Sequence, residues 1–184
     1  SYYIAGLTQD TIYLGNYTVP LLITAVSKDL KTKVEHQIKL DETERSFRSL
    51  LVRIQNNIFF VSDGSIPIIY RGNTTDWFAH KFMTETIYFS LLQPLTENTF
   101  LFRSQRASNG EHVLGKLVVT DTVTFELYEH ALQKQIDGVF DTDGQLITDQ
   151  KTQQGIYTYT YRNQYLVYHS NTNTFTQGKT IDTT

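Results

Sequence analysis

Four charged side chains stand out as candidates for chemistry: Asp137, Asp141, Arg103 and Arg162. Asp137, Asp141, Asp143 and Asp149 crowd one short stretch, and carboxylates gathered on a turn are hard-oxygen ligands of the kind calcium takes. Asp141-Thr142-Asp143-Gly144 is a fragment of a calcium-loop pattern, but no glutamate closes it, so a polar hairpin is the preferred reading. Asp137 is expected on the innermost strand of its repeat. Arg103 and Arg162 each follow an aromatic residue and precede a small polar one, and Arg71 sits similarly in Tyr70-Arg71-Gly72. Arginines converging on one face could clamp a carboxylate. The same residues would equally serve by pairing with aspartates or backbone carbonyls between sheets, which is preferred. The four form a candidate ligand-binding set, with no catalytic residue and no metal ligand assigned.

Other catalytic patterns fail on spacing. His36, His80, His112, His130 and His169 show neither H-x-H nor H-E-x-x-H spacing. There is no Gly-rich phosphate loop and no G-x-S-x-G nucleophile turn. Ser62-Asp63-Gly64-Ser65 does not match the Asp-box of sialidases. Tyr157, Tyr159 and Tyr161 alternate along one strand face; they are expected to pack between sheets, with sugar stacking as the alternative. No cofactor is implied, and the balance leans away from an enzyme.

The elements that must position these residues are strands. Short runs rich in Ile, Val, Thr, Tyr and Phe are bounded by Gly, Asn, Asp and Ser, while helical periodicity is nearly missing. Asp41 to Leu51 and Tyr128 to Gln135 are expected to be loops or single turns. One strand type recurs as Ile12–Asn16, Ile58–Ser62, Phe100–Ser104 and Tyr159–Asn163, with starts 46, 42 and 59 residues apart. The next begins near Leu21, Ile66, His112 and Tyr165, and a further one near Lys33, Trp77, Thr124 and Thr174. A first strand precedes each set, at Tyr2–Leu7, Leu50–Gln55, Ile87–Leu92 and Gly138–Asp141. Asp63-Gly64, Asn109-Gly110 and Asp143-Gly144 read as turn dipeptides between strands.

Four strands per unit at a period of 40–50 residues is the signature of β-propeller blades. The expectation is an all-β chain, a single partial propeller domain over residues 1–184, with blades at about 1–40, 48–84, 86–132 and 136–184. These blades would belong to a six- to eight-bladed ring, with Lys179–Thr184 leading into another blade. A closed four-bladed disc and an irregular β-sandwich are the alternatives.

Composition bounds the function. The chain of 184 residues carries a net charge of −3, which gives no pull toward nucleic acid or an acidic membrane surface. It has no cysteine, so disulfides, thiolate metal sites and thiol nucleophiles are excluded. No apolar run is long enough for a membrane helix. The chain begins Ser1-Tyr2-Tyr3 and its single methionine is Met83, so a removed leader and a longer parent chain both stay open.

Lys134 to Asp141, Tyr159 to Tyr165 and Gly178 to Thr184 resemble segments of a family of uncharacterised bacterial envelope proteins with propeller-like repeats. Ile12–Asn16 and Asp63–Asp76 extend the resemblance more weakly. A broader likeness is to six-bladed propellers of the TolB-like and NHL types, which mostly serve as interaction or ligand-binding platforms. The resemblance implies fold and an extracytoplasmic location, in the periplasm or on the cell surface of a Gram-negative bacterium. It implies no activity. Asp10-Thr11-Ile12, Asp121-Thr122-Val123 and Asp182-Thr183-Thr184 fit an exported-protein O-glycosylation pattern and point the same way. The expected role is a non-catalytic interaction or assembly module whose partner is a protein or the remaining blades. A carbohydrate-active or carbohydrate-binding propeller, taking a glycan or peptide ligand at the channel mouth, is the alternative.

Overall fold

The structure is a computed structural model that describes residues 1–42, 46–84 and 87–180. Among these residues there are seventeen strands and no helix. The chain divides into two compact units, Ser1–Ile87 and Tyr88–Thr184.

In the first unit, β1 (Tyr2–Leu7), β2 (Thr11–Asn16), β3 (Leu22–Ser27) and β4 (Lys33–Gln37) form an antiparallel meander, here sheet 1. After β4 the chain runs to the far edge of the next sheet, where β5 (Lys39–Leu40) pairs in parallel with β9. Sheet 2 is then the meander β6 (Leu51–Gln55), β7 (Ile58–Asp63), β8 (Ile68–Asn73) and β9 (Phe78–Thr84). The two meanders join through a single parallel pairing, Gly6 with Ile54. A Cβ on Gly6 would lie 2.3 Å from the Ile54 carbonyl oxygen, so only glycine permits this approach.

In the second unit, β10 (Leu91–Pro94), β11 (Thr99–Gln105), β12 (His112–Val119) and β13 (Val123–Tyr128) make sheet 3. Sheet 4 is β14 (Gly144–Asp149), β15 (Gln154–Tyr159), β16 (Gln164–His169) and β17 (Thr174–Lys179). The architecture is all-β: the two meanders of the first unit, with β5, run in one nine-stranded sheet, and the second unit has two four-stranded antiparallel sheets.

Each unit has its own core, made where one sheet stacks on the next. In the first unit Ala5 and Ile23 of sheet 1 meet Val52, Ile54, Phe59, Val61, Ile68 and Tyr70 of sheet 2. In the second, Leu101 and Leu114 of sheet 3 meet Leu146, Tyr157, Leu166 and Tyr168 of sheet 4. Period-two alternation brings these residues to one side of their strands. Burying each large side chain contributes about 1.5–3 kcal/mol, which drives the stacking. Trp77 lies stacked between His36 and Phe59, at centroid distances of 4.4 and 5.5 Å. It closes the β8–β9 turn in a left-handed conformation (φ 56°), one residue before the strand it was expected to begin. Asn173 (φ 54°) holds the equivalent place between β16 and β17.

Several sequence expectations are corrected in the fourth repeat. Gly138–Asp141 is not a strand but part of a loop of bends and turns; the first strand is β14. Asp137 therefore does not sit on an innermost strand. The cause is local: aspartate side chains there take the backbone amides a strand ladder would need. Tyr159 ends β15, and Thr160–Asn163 form the turn that follows, so that repeat's second strand begins at Gln154. Asp143-Gly144 is not a hairpin turn either, since Gly144 opens β14. In the third repeat the first strand is Leu91–Pro94 rather than Ile87–Leu92. Of the three alternating tyrosines, Tyr157 and Tyr159 are buried on β15, whereas Tyr161 lies beyond the strand and is exposed. The expected exit strand runs past Lys179, the end of β17, into residues 181–184, which lie outside the described residues together with Asp182-Thr183-Thr184.

Candidate functional site

The four candidate residues lie around one loop of the second unit, residues 133–143, but do not converge on a common point. Asp141 accepts the amides of Gln135 (2.5 Å), Ile136 (2.6 Å) and Gly138 (2.9 Å). Arg162 stands 3.6 Å from the same carboxylate. Burial is the largest single influence on Asp141 and pushes its carboxyl up, but the three amides and Arg162 together bring it below the usual aspartate range. Asp137 accepts the amides of Val139 and Phe140 at 2.7 and 2.8 Å and so caps a turn. Both carboxylates spend their acceptors on backbone of their own loop.

Arg162 donates through Nη2 to the Gln133 carbonyl (2.6 Å), and its guanidinium lies 4.8 Å from the Tyr159 ring centroid. Its buried Nε has no hydrogen-bond partner. Arg103 projects from β11 toward sheet 4. Its Nη1 lies 2.7 Å from Asp143 Oδ1, 3.0 Å from the Tyr157 hydroxyl and 3.3 Å from the Gly144 carbonyl, and its Nε donates to Ser90 Oγ at 3.0 Å. The Tyr157 hydroxyl in turn donates to the Thr142 carbonyl at 2.7 Å. Burial raises Tyr157 to about 12 although the Arg103 charge opposes it. Burial also lowers His112, with Arg103 adding to the shift, so His112 is neutral at pH 7. Arg103 thus fastens the 133–143 loop to β11 of sheet 3, and Arg162 fastens it to the turn after β15. Among the described residues no group of three or more His, Cys, Asp or Glu side chains could hold a metal ion.

Sequence reasoning passed over a second carboxylate. Asp63, fully buried at the end of β7, accepts the amides of Arg48 (2.7 Å) and Ser49 (2.8 Å) on one oxygen. Its other oxygen takes the amide and hydroxyl of Ser65 at 2.9 and 2.7 Å. Burial pushes this carboxyl up, yet the combined hydrogen bonds leave it below its ordinary value. The Asp-Gly-Ser signal was visible in the sequence, but not the partners fourteen and fifteen residues upstream.

Also passed over were two sheet faces. On the side of sheet 1 turned away from its core, Tyr2, Ile4 and Leu7 are 60, 61 and 58% exposed. Ile4 lies opposite Leu14, and Leu7 opposite Ile12 and, beyond it, Val26. A bulge between Ile4 and Gly6 is what puts Ile4 and Leu7 on the same side. On the outer side of sheet 4, Ile147 (57% exposed), Ile156 and Val167 lie side by side across three strands. Beside the exposed Ile147, Ile156 and Val167 are half-buried.

The fold and these surfaces define a class: an all-β protein of sequential antiparallel meanders. No family model matches the chain, and no curated protein matches it. Among solved structures it is similar to the crystal structure of Citrobacter koseri AztD, with 11% sequence identity and a TM-score of 0.49. The match covers 96% of this chain and 46% of that one, so the chain spans about half the length of AztD.

Proposed function

We propose that this chain is a non-catalytic β-propeller module that assembles with further protein through the outer faces of sheets 1 and 4. The observation that carries this reading is the contrast between covered and uncovered faces of like sheets. Inside each unit, the facing sides of consecutive sheets bury their aliphatic and aromatic rows to near zero exposure. The outer side of sheet 1 leaves Tyr2, Ile4 and Leu7 more than half exposed, and that of sheet 4 leaves Ile147 so, with Ile156 and Val167 half-buried beside it. A blade is a small sheet with two apolar faces, stable only between neighbours. Repeated four-stranded meanders in chain order fit that description.

The non-catalytic part rests on commitment of the charged groups. The alternative, a carbohydrate-active propeller, needs carboxylates free to approach a glycosidic bond. Asp137 and Asp141 are held by backbone amides, and Asp143 is paired with Arg103. The extracytoplasmic location belongs to the proposal and rests on the sequence resemblance and on the hairpin turns' wealth of uncharged Thr, Asn and Gln.

A crystal structure of the assembled protein tests the reading. It is expected to show sheets arranged radially, with the outer faces of sheets 1 and 4 each covered by another four-stranded sheet. Sheets layered as a two-sheet sandwich, or both faces open to solvent, would overturn it.

A further inference from the structure

Two outer strands of this chain are built alike. β9 follows Trp77 and β17 follows Asn173, both in the left-handed conformation (φ 56° and 54°). On β9, the Trp77 and Ala79 carbonyls point away from β8 and are taken by the chain itself. The Lys39 amide donates to the first at 2.9 Å and the Asp41 amide to the second at 3.0 Å. β5 thus adds in parallel to an outer edge. Ile38 and Leu40, 2 and 8% exposed, enter the core on either side of the exposed Lys39.

The β17 edge offers the same geometry without an occupant. Its register with β16, and the Thr180 amide on the Asn163 carbonyl (3.1 Å), turn the backbone of Thr174, Thr176 and Gly178 toward β16. Phe175 and Gln177 therefore point their amides and carbonyls outward, and among the described residues no group bonds them there. The other outer edges are guarded. β9 is covered by β5 and its pairing with β8 is bulged, β4 carries Lys33, Glu35 and His36, and β13 carries Glu126 in mid-strand. β17 has no proline, six unbroken pairs with β16, and no charge before Lys179 at its end. Beside this edge lies the half-buried Phe175 ring, 5.2 Å from the Tyr168 ring and 5.0 Å from the Tyr128 ring.

We infer that the outer edge of β17 takes an extended segment of a partner protein, added in parallel as β5 adds to β9, with aliphatic residues at alternate positions. The Asn173 and Phe175 carbonyls stand where the Trp77 and Ala79 carbonyls stand in sheet 2 and accept the incoming amides. An aliphatic side chain beside Phe175 extends the row of Tyr168 and Phe175, as Leu40 does beside Ala79.

The chain supplies its own probe: a capped peptide of residues 36–42, His36 to Glu42, titrated into the full 184-residue chain and followed by backbone amide NMR. Saturable shifts at Phe175, Gln177 and Lys179 are expected, with a Kd on the order of 1 mM for so short a strand. Methylating the peptide nitrogens of Lys39 and Asp41 removes the two donors and is expected to weaken binding about tenfold or more. Gln177→Pro removes an outward amide that no strand of the fold uses, so it is expected to unfold near the wild-type midpoint and to bind at least about tenfold more weakly. Should that variant fail to fold, the methylated peptide decides alone. No shift at 5–10 times that concentration (about 5–10 mM) overturns the proposal. So do equal binding of the methylated peptide, wild-type binding by a folded Gln177→Pro, and shifts confined to Phe78–Lys81, the mark of exchange with β5 instead.

Discussion

Asp63 shows how much one side chain can hold. Its carboxylate satisfies amides on both sides of sheet 2's first hairpin, the 48–49 segment and the 65–66 turn, while shut away from water. Asp63→Asn keeps the shape but turns one of the two acceptor oxygens into a donor facing N–H or O–H groups, and is expected to cost about 2–4 kcal/mol by urea unfolding at pH 7. Because its folded value lies below the ordinary 3.8, the charged form stabilises the fold above that pH. That contribution falls away as pH drops below 3.8 through the folded value, so the gap between wild type and Asp63→Asn narrows there. A gap constant from pH 7 to pH 2 would contradict the assignment.

Glycines facing aromatic rings recur across strand pairs, as in Tyr3 with Gly15, Phe59 with Gly72, and Phe102 with Gly115. The ring lies flat over the bare backbone opposite. A Cβ at Gly72 would stand 2.4 Å from both the Phe59 ring and the Phe78 carbonyl. Gly72→Ala is therefore expected to destabilise by about 1–3 kcal/mol, measured by thermal unfolding. A neutral result would mean the ring can move aside.

At the scale of elements, the 133–143 loop is held by aspartates rather than by a ladder. Asp141→Ala releases the amides of Gln135, Ile136 and Gly138. Proteolysis within the loop is expected to quicken about tenfold or more while global stability changes by roughly 1 kcal/mol. Cleavage at the wild-type rate would show that the loop is fixed by something other than this carboxylate.

This loop also marks where sequence reading stopped. Strands in the first three repeats were legible because their ladders follow apolar alternation: Ile12–Asn16, Ile58–Ser62 and Phe100–Ser104 fall within β2, β7 and β11. Gly138-Val139-Phe140-Asp141 reads the same way, yet Asp137 and Asp141 bind the local amides and no partner strand is left for them. Tyr161 continues the alternation of Tyr157 and Tyr159 one step beyond the strand's end. The chemical types at Arg103 and Arg162 were legible too. Their partners were not, because Asp143 lies forty residues from Arg103 and a sequence does not show which way a strand faces.

At the scale of the whole molecule, the account turns on two faces that the sequence did not single out. Ile4 and Leu7 share a side only through a bulge, and Ile147, Ile156 and Val167 become neighbours only once three strands are in register. Neither row is a motif. Each exists only as geometry, and each would cost stability if left permanently in water.

The most direct measurement is carbene footprinting of the assembled protein, which reads side-chain exposure without regard to what covers it. Leu30 and Phe125 are exposed apolar residues away from the two faces and set the reference rate. The account predicts that Tyr2, Ile4, Leu7 and Ile147 are labelled at least about fivefold more slowly than that reference. Labelling of these four at the reference rate, in the assembled protein, would contradict it.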